Sequence, residues 1–304
     1  MTVSKLPQAN AESIEAGNIA HSRQWINWLP LVLLLASAFG VRNVLPTWGF
    51  MWILALGIFM GLKWVTWWRG RTHPAWRSAA YLFAWPGMDA ESFLDSSKRI
   101  PPVPLVAWFW AILETALGAI SLWIVARALP ASTPLLRGWV GMLGLILLLH
   151  FGIFQVLALT WQSFGIAATP IMSAPLRSHS LSEFWGKRWN LGFRQLSHDL
   201  SSAASKFGAG GAGFLVFVTS GLIHDLVISV PARAGYGLPT LYFVLQGMGV
   251  GVERSNIGKR RGLRQGTRGW LFMAAITAGP AFWLFHPPFV HNVILPFMKA
   301  IGAL

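Results

Sequence analysis

Long apolar runs decide what this chain can fold into. LVLLLA stands at residues 31–36 and LILLL immediately precedes His150. A helix needs roughly 20 apolar residues to cross a bilayer, within a range of about 17–25. The runs predict spans at 25–40, 47–68, 103–125, 139–164, 211–230, 237–252 and 269–285, with a short eighth element at 289–304. The expected architecture is an all-α polytopic membrane protein of about 7–8 transmembrane helices. Residues 1–24 read as a polar cytosolic tail, and 25–304 as one membrane-embedded domain.

Composition agrees. The 304 residues are 54% apolar and 11% charged, whereas soluble domains carry about 25% charge. A coiled coil, an acidic disordered chain and a disulfide scaffold are excluded. With no Cys, thiolate catalysis and Cys-ligated metals are excluded too. The net charge of +14 would suggest nucleic acid in a soluble chain, but here the cations sit between apolar runs and meet lipid headgroups instead. With the N-terminus inside, the segments 1–24, 69–102, 165–209 and 254–268 hold 18 Lys and Arg, against four in the outer loops. That asymmetry predicts a cytoplasmic N-terminus, with a bacterial inner membrane as the expected setting.

Two stretches break the pattern. Within 69–102, YLFAWPGM is apolar but too short to span and reads as an interfacial or re-entrant piece. Within 165–209, Phe184, Trp185, Trp189 and Phe193 recur at helical spacing and predict an amphipathic helix. Gly57 and Gly61 predict a close helix contact. Lys63, near a helix end, is expected to lift its amine to the headgroups.

Ionisable groups inside a membrane are costly and are functional candidates by default. His224 and Asp225 lie in VFVTSGLIHDLVISVP, and Glu114 in WFWAILETALGAI. A neutral imidazole can take the proton of a hydroxyl as that hydroxyl attacks a carbonyl. The competing readings are a buried, hydrogen-bonded histidine that holds two helices together and, after it, a proton or ion relay. Ser220, one turn before His224, is placed to hydrogen-bond its ring. Asp225 points about 100° away, so a basic or amide group on another helix is its expected partner. Glu114 suits pairing between helices; Gln155, Gln246 and His150 suit either packing or a polar lining. No HxxHH, HxxxH, HExxH, GxxxxGK or GxGxxG is present, so no resident metal and no permanently bound cofactor are expected.

SEFWGKRWNL at 182–191, taken with SGLIHDLVIS at 220–229, resembles the wax-synthase-like branch of the membrane-bound O-acyltransferases. In that family a Trp-Asn or related pair precedes an intramembrane histidine by roughly 30–40 residues. Trp189-Asn190 and His224 match it, 34 residues apart from Asn190. The resemblance covers mainly residues 170–255 and implies a bundle of that family's kind. It further implies transfer of a fatty acyl group from acyl-CoA to a lipid alcohol, a long-chain alcohol or diacylglycerol. His224 would be the general base, and Asn190 would position the reacting groups. Lys187 and Arg188 suit either the CoA phosphates or ordinary topology and lipid contact, Arg177 and Arg194 suit topology better, and Trp185 and Trp189 suit the tunnel mouth or an interface anchor. Some relatives carry His where Asn190 stands. The alternative reading is a lipid transporter or flippase whose polar pathway uses His224, Asp225 and Glu114. Membrane lipids are expected partners on either reading; the oligomeric state is not legible.

Overall fold

The computed structural model describes residues 26–68 and 73–304, all turns and helices. The tail 1–24 and Trp25 lie outside the described residues. Helix α1 (Leu29–Gly40) packs on α2 (Thr47–Trp68) through the two glycines. A Cβ on Gly61 would fall 2.6 Å from Leu31 Cα, and one on Gly57 would fall 3.5 Å from Leu34 Cβ. At Gly61 only a hydrogen side chain allows this approach, while Gly57 has room for ordinary contact.

The segment after α2 folds back as α3 (Ala75–Ala84) and the short α4 (Ala90–Leu94). Tyr81, Trp85, Met88 and Phe93 are 0–3% exposed, so one face of this short piece packs into the core. Trp85 stacks on Phe93, and Phe93 meets Trp161 edge-on. Lys63 is corrected here. It does not reach headgroups: it is fully buried, its amine 3.6 Å from the Tyr81 ring centroid and donating to Gly87 O. The carbonyl and the ring face replace the water an exposed ammonium would have.

Helices α5 (Leu105–Ala128) and α6 (Pro134–Ser163) are long enough to span. Gly118, Gly144 and Gly152 interlock them: a Cβ on Gly144 would stand 2.9 Å from Leu122 N, and one on Gly152 would meet Thr115 Oγ1 at 2.5 Å. Each helix contains a widened π turn, Ser121–Val125 in α5 and Leu147–Ile153 in α6. Such turns are frequent at functional sites.

The stretch read as one amphipathic helix is broken. Residues Leu181–Glu183 and Phe184–Arg188 make one short helical coil whose second part is a widened π turn. Trp189 is then extended, and Asn190 takes the left-handed conformation at φ 47°. Asn tolerates that region better than other side chains, and Leu191 N–H donates to Ile171 O across the break. Helix α7 (Arg194–Ala203) follows as a separate, partly exposed piece.

Helix α8 (Gly208–Ala232), entered by the turn Ser205–Phe207, and α9 (Leu238–Arg254) form a tight antiparallel pair. Gly221 lies against Thr240, and Gly247 receives Phe214 and Phe217. Beyond α9 come α10 (Asn256–Arg260) and α11 (Gly266–Ala278). The predicted seventh span is thus split, because Gly279-Pro280 ends α11 and only the turn Ala281–Leu284 follows. Residues 287–300 form the last helical stretch, and its Val290 and Met298 fill the space left by Gly138 and Gly141 of α6. Among the described residues four helices have the length and apolarity to cross a bilayer: α2, α5, α6 and α8 with its lead-in. The other runs form the shorter helices of a polytopic bundle.

Candidate active site

His224 sits in the middle of α8, half-buried. Its Nδ1 lies 2.7 Å from Ser220 O. A backbone carbonyl only accepts, so Nδ1 carries the proton and Nε2 keeps its lone pair. The expected bond between Ser220 and the ring is present, made by the Ser220 carbonyl and not by its hydroxyl. The imidazole rests on Phe243 of α9, with centroids 4.4 Å apart.

From Phe243 an aromatic wall runs to the 182–191 element. Trp185 meets Phe243 at 5.6 Å and Phe217 at 5.9 Å. Phe184 meets Trp185 at 5.1 Å and stacks on Trp189 at 5.3 Å, and Trp189 meets Phe151 of α6 at 6.3 Å. Gln246 fixes the orientation of Trp185. It is fully buried, accepts from Trp185 Nε1 at 3.2 Å and donates to Ile276 O at 2.7 Å. An indole N–H only donates and a carbonyl only accepts, so the amide can face only one way.

The element carrying these rings is held by carboxylates. Ser180 accepts from Glu183 N–H, and the Glu183 side chain accepts from His179 N–H, a variant of the reciprocal cap of S-x-x-E sequences. Glu183 also takes Arg188 at 2.7 Å. The His179 N–H and the Arg188 guanidinium hold its carboxyl below the usual glutamate range, against the opposing pull of partial burial. Buried Glu253, at the end of α9, accepts from the N–H groups of Leu181 and Ser182. Neither Glu183 nor Glu253 entered the sequence reading, although Ser180-x-x-Glu183 is a visible capping signal. Glu253 gives no local signal; its partners lie about 70 residues away.

Asn190 follows Trp189 directly. Its N–H faces Met172 Sδ at 3.3 Å, and its backbone turn is tied to the re-entrant segment by Met88 N–H donating to Gly192 O. Among the described residues Lys187 is exposed with no hydrogen bond or ion pair, whereas Arg188 is engaged by Glu183 and by Ser173 O.

Asp225 is elsewhere. It faces the other flank of α8 and accepts from Ser229 Oγ at 2.8 Å, Gly237 N at 2.9 Å, Thr240 N at 3.1 Å and Thr240 Oγ1. It therefore caps the start of α9, where unpaired N–H groups favour an anion. Its partners are hydroxyls and backbone amides of the following segment, with no cation among them. That flank carries an open groove of about 610 Å³ lined by Leu222, Asp225, Leu226, Tyr236 and Thr240, which His224 does not reach. Glu114, on α5, is half-buried with no hydrogen bond or ion pair among the described residues. His150, in the π turn of α6, has a buried Nδ1 without a partner.

Residues 168–245 match the family model described as the Membrane bound O-acyl transferase family. Two curated relatives align as well. The Probable long-chain-alcohol O-fatty-acyltransferase 7 of Arabidopsis thaliana is 30% identical over 148 residues, 42% of each chain. The Long-chain-alcohol O-fatty-acyltransferase of Simmondsia chinensis is 30% identical over 145 residues, covering 42% of this chain and 40% of its own. The chain thus spans less than half the length of these relatives. The segment matched by the family model holds the latched 182–191 element, Asn190 and His224, and over that segment the chain is similar to the membrane-bound O-acyltransferases; the two relatives add a likeness to long-chain-alcohol O-fatty-acyltransferases.

Proposed function

We propose that this integral membrane protein is an acyl-CoA-dependent O-acyltransferase that esterifies a lipid alcohol, with a long-chain alcohol as the first choice of acceptor and diacylglycerol as the second. The observation that carries the reading is the oriented imidazole of His224, with its Nε2 lone pair unengaged, on an aromatic wall that leads to the Trp189-Asn190 turn. The names of the two plant relatives support the choice of acceptor.

The chemistry balances with these parts. His224 Nε2 takes the proton of the acceptor hydroxyl, and the oxygen attacks the thioester carbonyl carbon. The C–O bond forms, the C–S bond breaks, and CoA leaves as thiolate to be protonated. The Nδ1–H bond to Ser220 O holds the ring in one tautomer and favours the imidazolium formed in the transition state. Asn190 positions the thioester by hydrogen bonding. The aromatic wall excludes water, so hydrolysis does not compete with transfer. Lys187, exposed and unpaired, is the nearest cation of the element for the CoA phosphates; Arg188 chiefly holds the fold of that element. The N-terminus lies in the cytoplasm, and the donor approaches from that side.

The test uses purified protein in nanodiscs with radiolabelled palmitoyl-CoA and, separately, hexadecan-1-ol, diacylglycerol, sterol and glycan acceptors. Ester and free CoA should appear together and only with a lipid alcohol. Replacement His224→Ala should lower turnover at least about 100-fold, the usual size of a general-base contribution, without changing membrane insertion. Turnover that survives this change rejects the base role. Absence of acceptor-dependent CoA release rejects the enzyme reading in favour of transport.

A further inference from the structure

The α6 π turn presents a second imidazole that the reaction above does not use. Leu148 and Gly152 of this turn lie against α5, where added bulk at Gly118 or Gly152 would strike backbone and Thr115. His150 stands two residues from each, so it points away from α5. Its ring meets Phe154 edge-on at 5.5 Å, and its neighbour Phe151 meets Trp189 at 6.3 Å. His150 Nδ1 is buried and makes no hydrogen bond, the only such side-chain atom among the described residues. Leaving a buried polar atom unpaired is costly, and a native protein carries such a group when something other than the protein satisfies it. Unlike His224, this ring has no carbonyl to fix its tautomer. It can donate to an ester oxygen or accept from a hydroxyl.

We propose that His150 is a binding point for the oxygen of an uncharged lipid alcohol on the α6 side of the aromatic wall, occupied by the acceptor before its hydroxyl moves on to His224. The assignment rests on the proposed O-acyltransferase reading and names the residue that distinguishes an alcohol from an alkane. Its role is binding, not proton transfer, so it governs acceptor affinity and leaves the chemical step to His224.

The experiment measures binding of radiolabelled hexadecan-1-ol to the full chain in nanodiscs, with unlabelled hexadecan-1-ol or hexadecane as competitor. Variants are His150→Phe, which fills the space without a polar atom, and His150→Gln, which keeps a donor and an acceptor. The unmodified protein should prefer the alcohol over the alkane. In His150→Phe that preference should fall about tenfold, the value of one hydrogen bond, and in His150→Gln it should stay within about threefold. The KM for hexadecan-1-ol should rise by the same tenfold in His150→Phe, with kcat within about threefold. The ligand-free His150→Phe protein should melt at or above the unmodified protein, since an unpaired polar atom has been removed. An unchanged alcohol preference in His150→Phe overturns the proposal. So does loss of preference in both variants with lowered melting, which marks a packing role. If the unmodified protein releases no CoA while its alcohol preference still depends on His150, the acyltransfer reading fails and this binding point stands.

Discussion

At the scale of single residues, Asn190 separates two roles that its position combines. Its φ of 47° suits Gly and Asn, and costs most other side chains about 1–2 kcal/mol. Its side chain is the part assigned to the thioester. Asn190→Gly should therefore keep the melting temperature near that of the unmodified protein while turnover drops at least about tenfold. Asn190→Ala should lower both. Full turnover in Asn190→Gly would remove the side chain from the mechanism and leave Asn190 as a turn residue. At this scale the sequence supplied the residues: His224 and Gln246 from type and position, Trp185 from its spacing, and Asn190 from the family resemblance. What it hid was which atoms engage. The imidazole bonds to a carbonyl that every residue has, rather than to the Ser220 hydroxyl that distinguishes the position. The fate of Lys63 was hidden for a similar reason, because its partners, Gly87 O and the Tyr81 ring, are brought to it by a fold-back of the chain.

At the scale of the element, the 180–191 coil is predicted to depend on its acidic clasp. Ser180→Ala removes the acceptor for Glu183 N–H and should cost about 1 kcal/mol, read as a lower melting temperature and as faster tryptic cleavage after Lys187 and Arg188. Acid should act on the same clasp. The Glu183 carboxyl is held below its usual range in the fold, so its stabilisation is complete above the unfolded glutamate value of about 4.3. It is lost as the pH falls through the lower folded value. The difference in melting temperature between the unmodified protein and Glu183→Gln should therefore be largest near neutrality and shrink below about pH 4. A difference constant with pH would show that the clasp owes nothing to the charge. The element also explains why helical spacing misled. Phe184, Trp185, Trp189 and Phe193 do recur as on one helix face, but the rings of the first three pack on α6, α8, α9 and one another. Close ring packing is satisfied by a broken coil, so the period reports burial without fixing a continuous helix.

At the scale of the molecule, hydropathy located the apolar runs but not their lengths as helices. Gly279-Pro280 cuts one predicted span, and the shortness of α1, α9 and α11 follows from side chains that pack on neighbours as well as on lipid. Four helices of spanning length and several shorter ones leave the number of crossings to be fixed by the sidedness of the loops. The absence of Cys makes each introduced thiol the only one in the chain. Asn43→Cys and Ser132→Cys lie in exposed positions of the charge-poor loops, and Ser96→Cys and Thr267→Cys in exposed positions of the charge-rich ones. Cations are retained on the cytoplasmic side, so a membrane-impermeant maleimide added to spheroplasts of an expressing host should label the first two at once and the last two only after lysis. Labelling of all four without lysis would remove the charge asymmetry as a guide to topology. Labelling of 96 with protection of 267 would require an odd number of crossings between those positions, and so one crossing more or fewer than the arrangement of α5, α6, α8 and α9 as full passages allows.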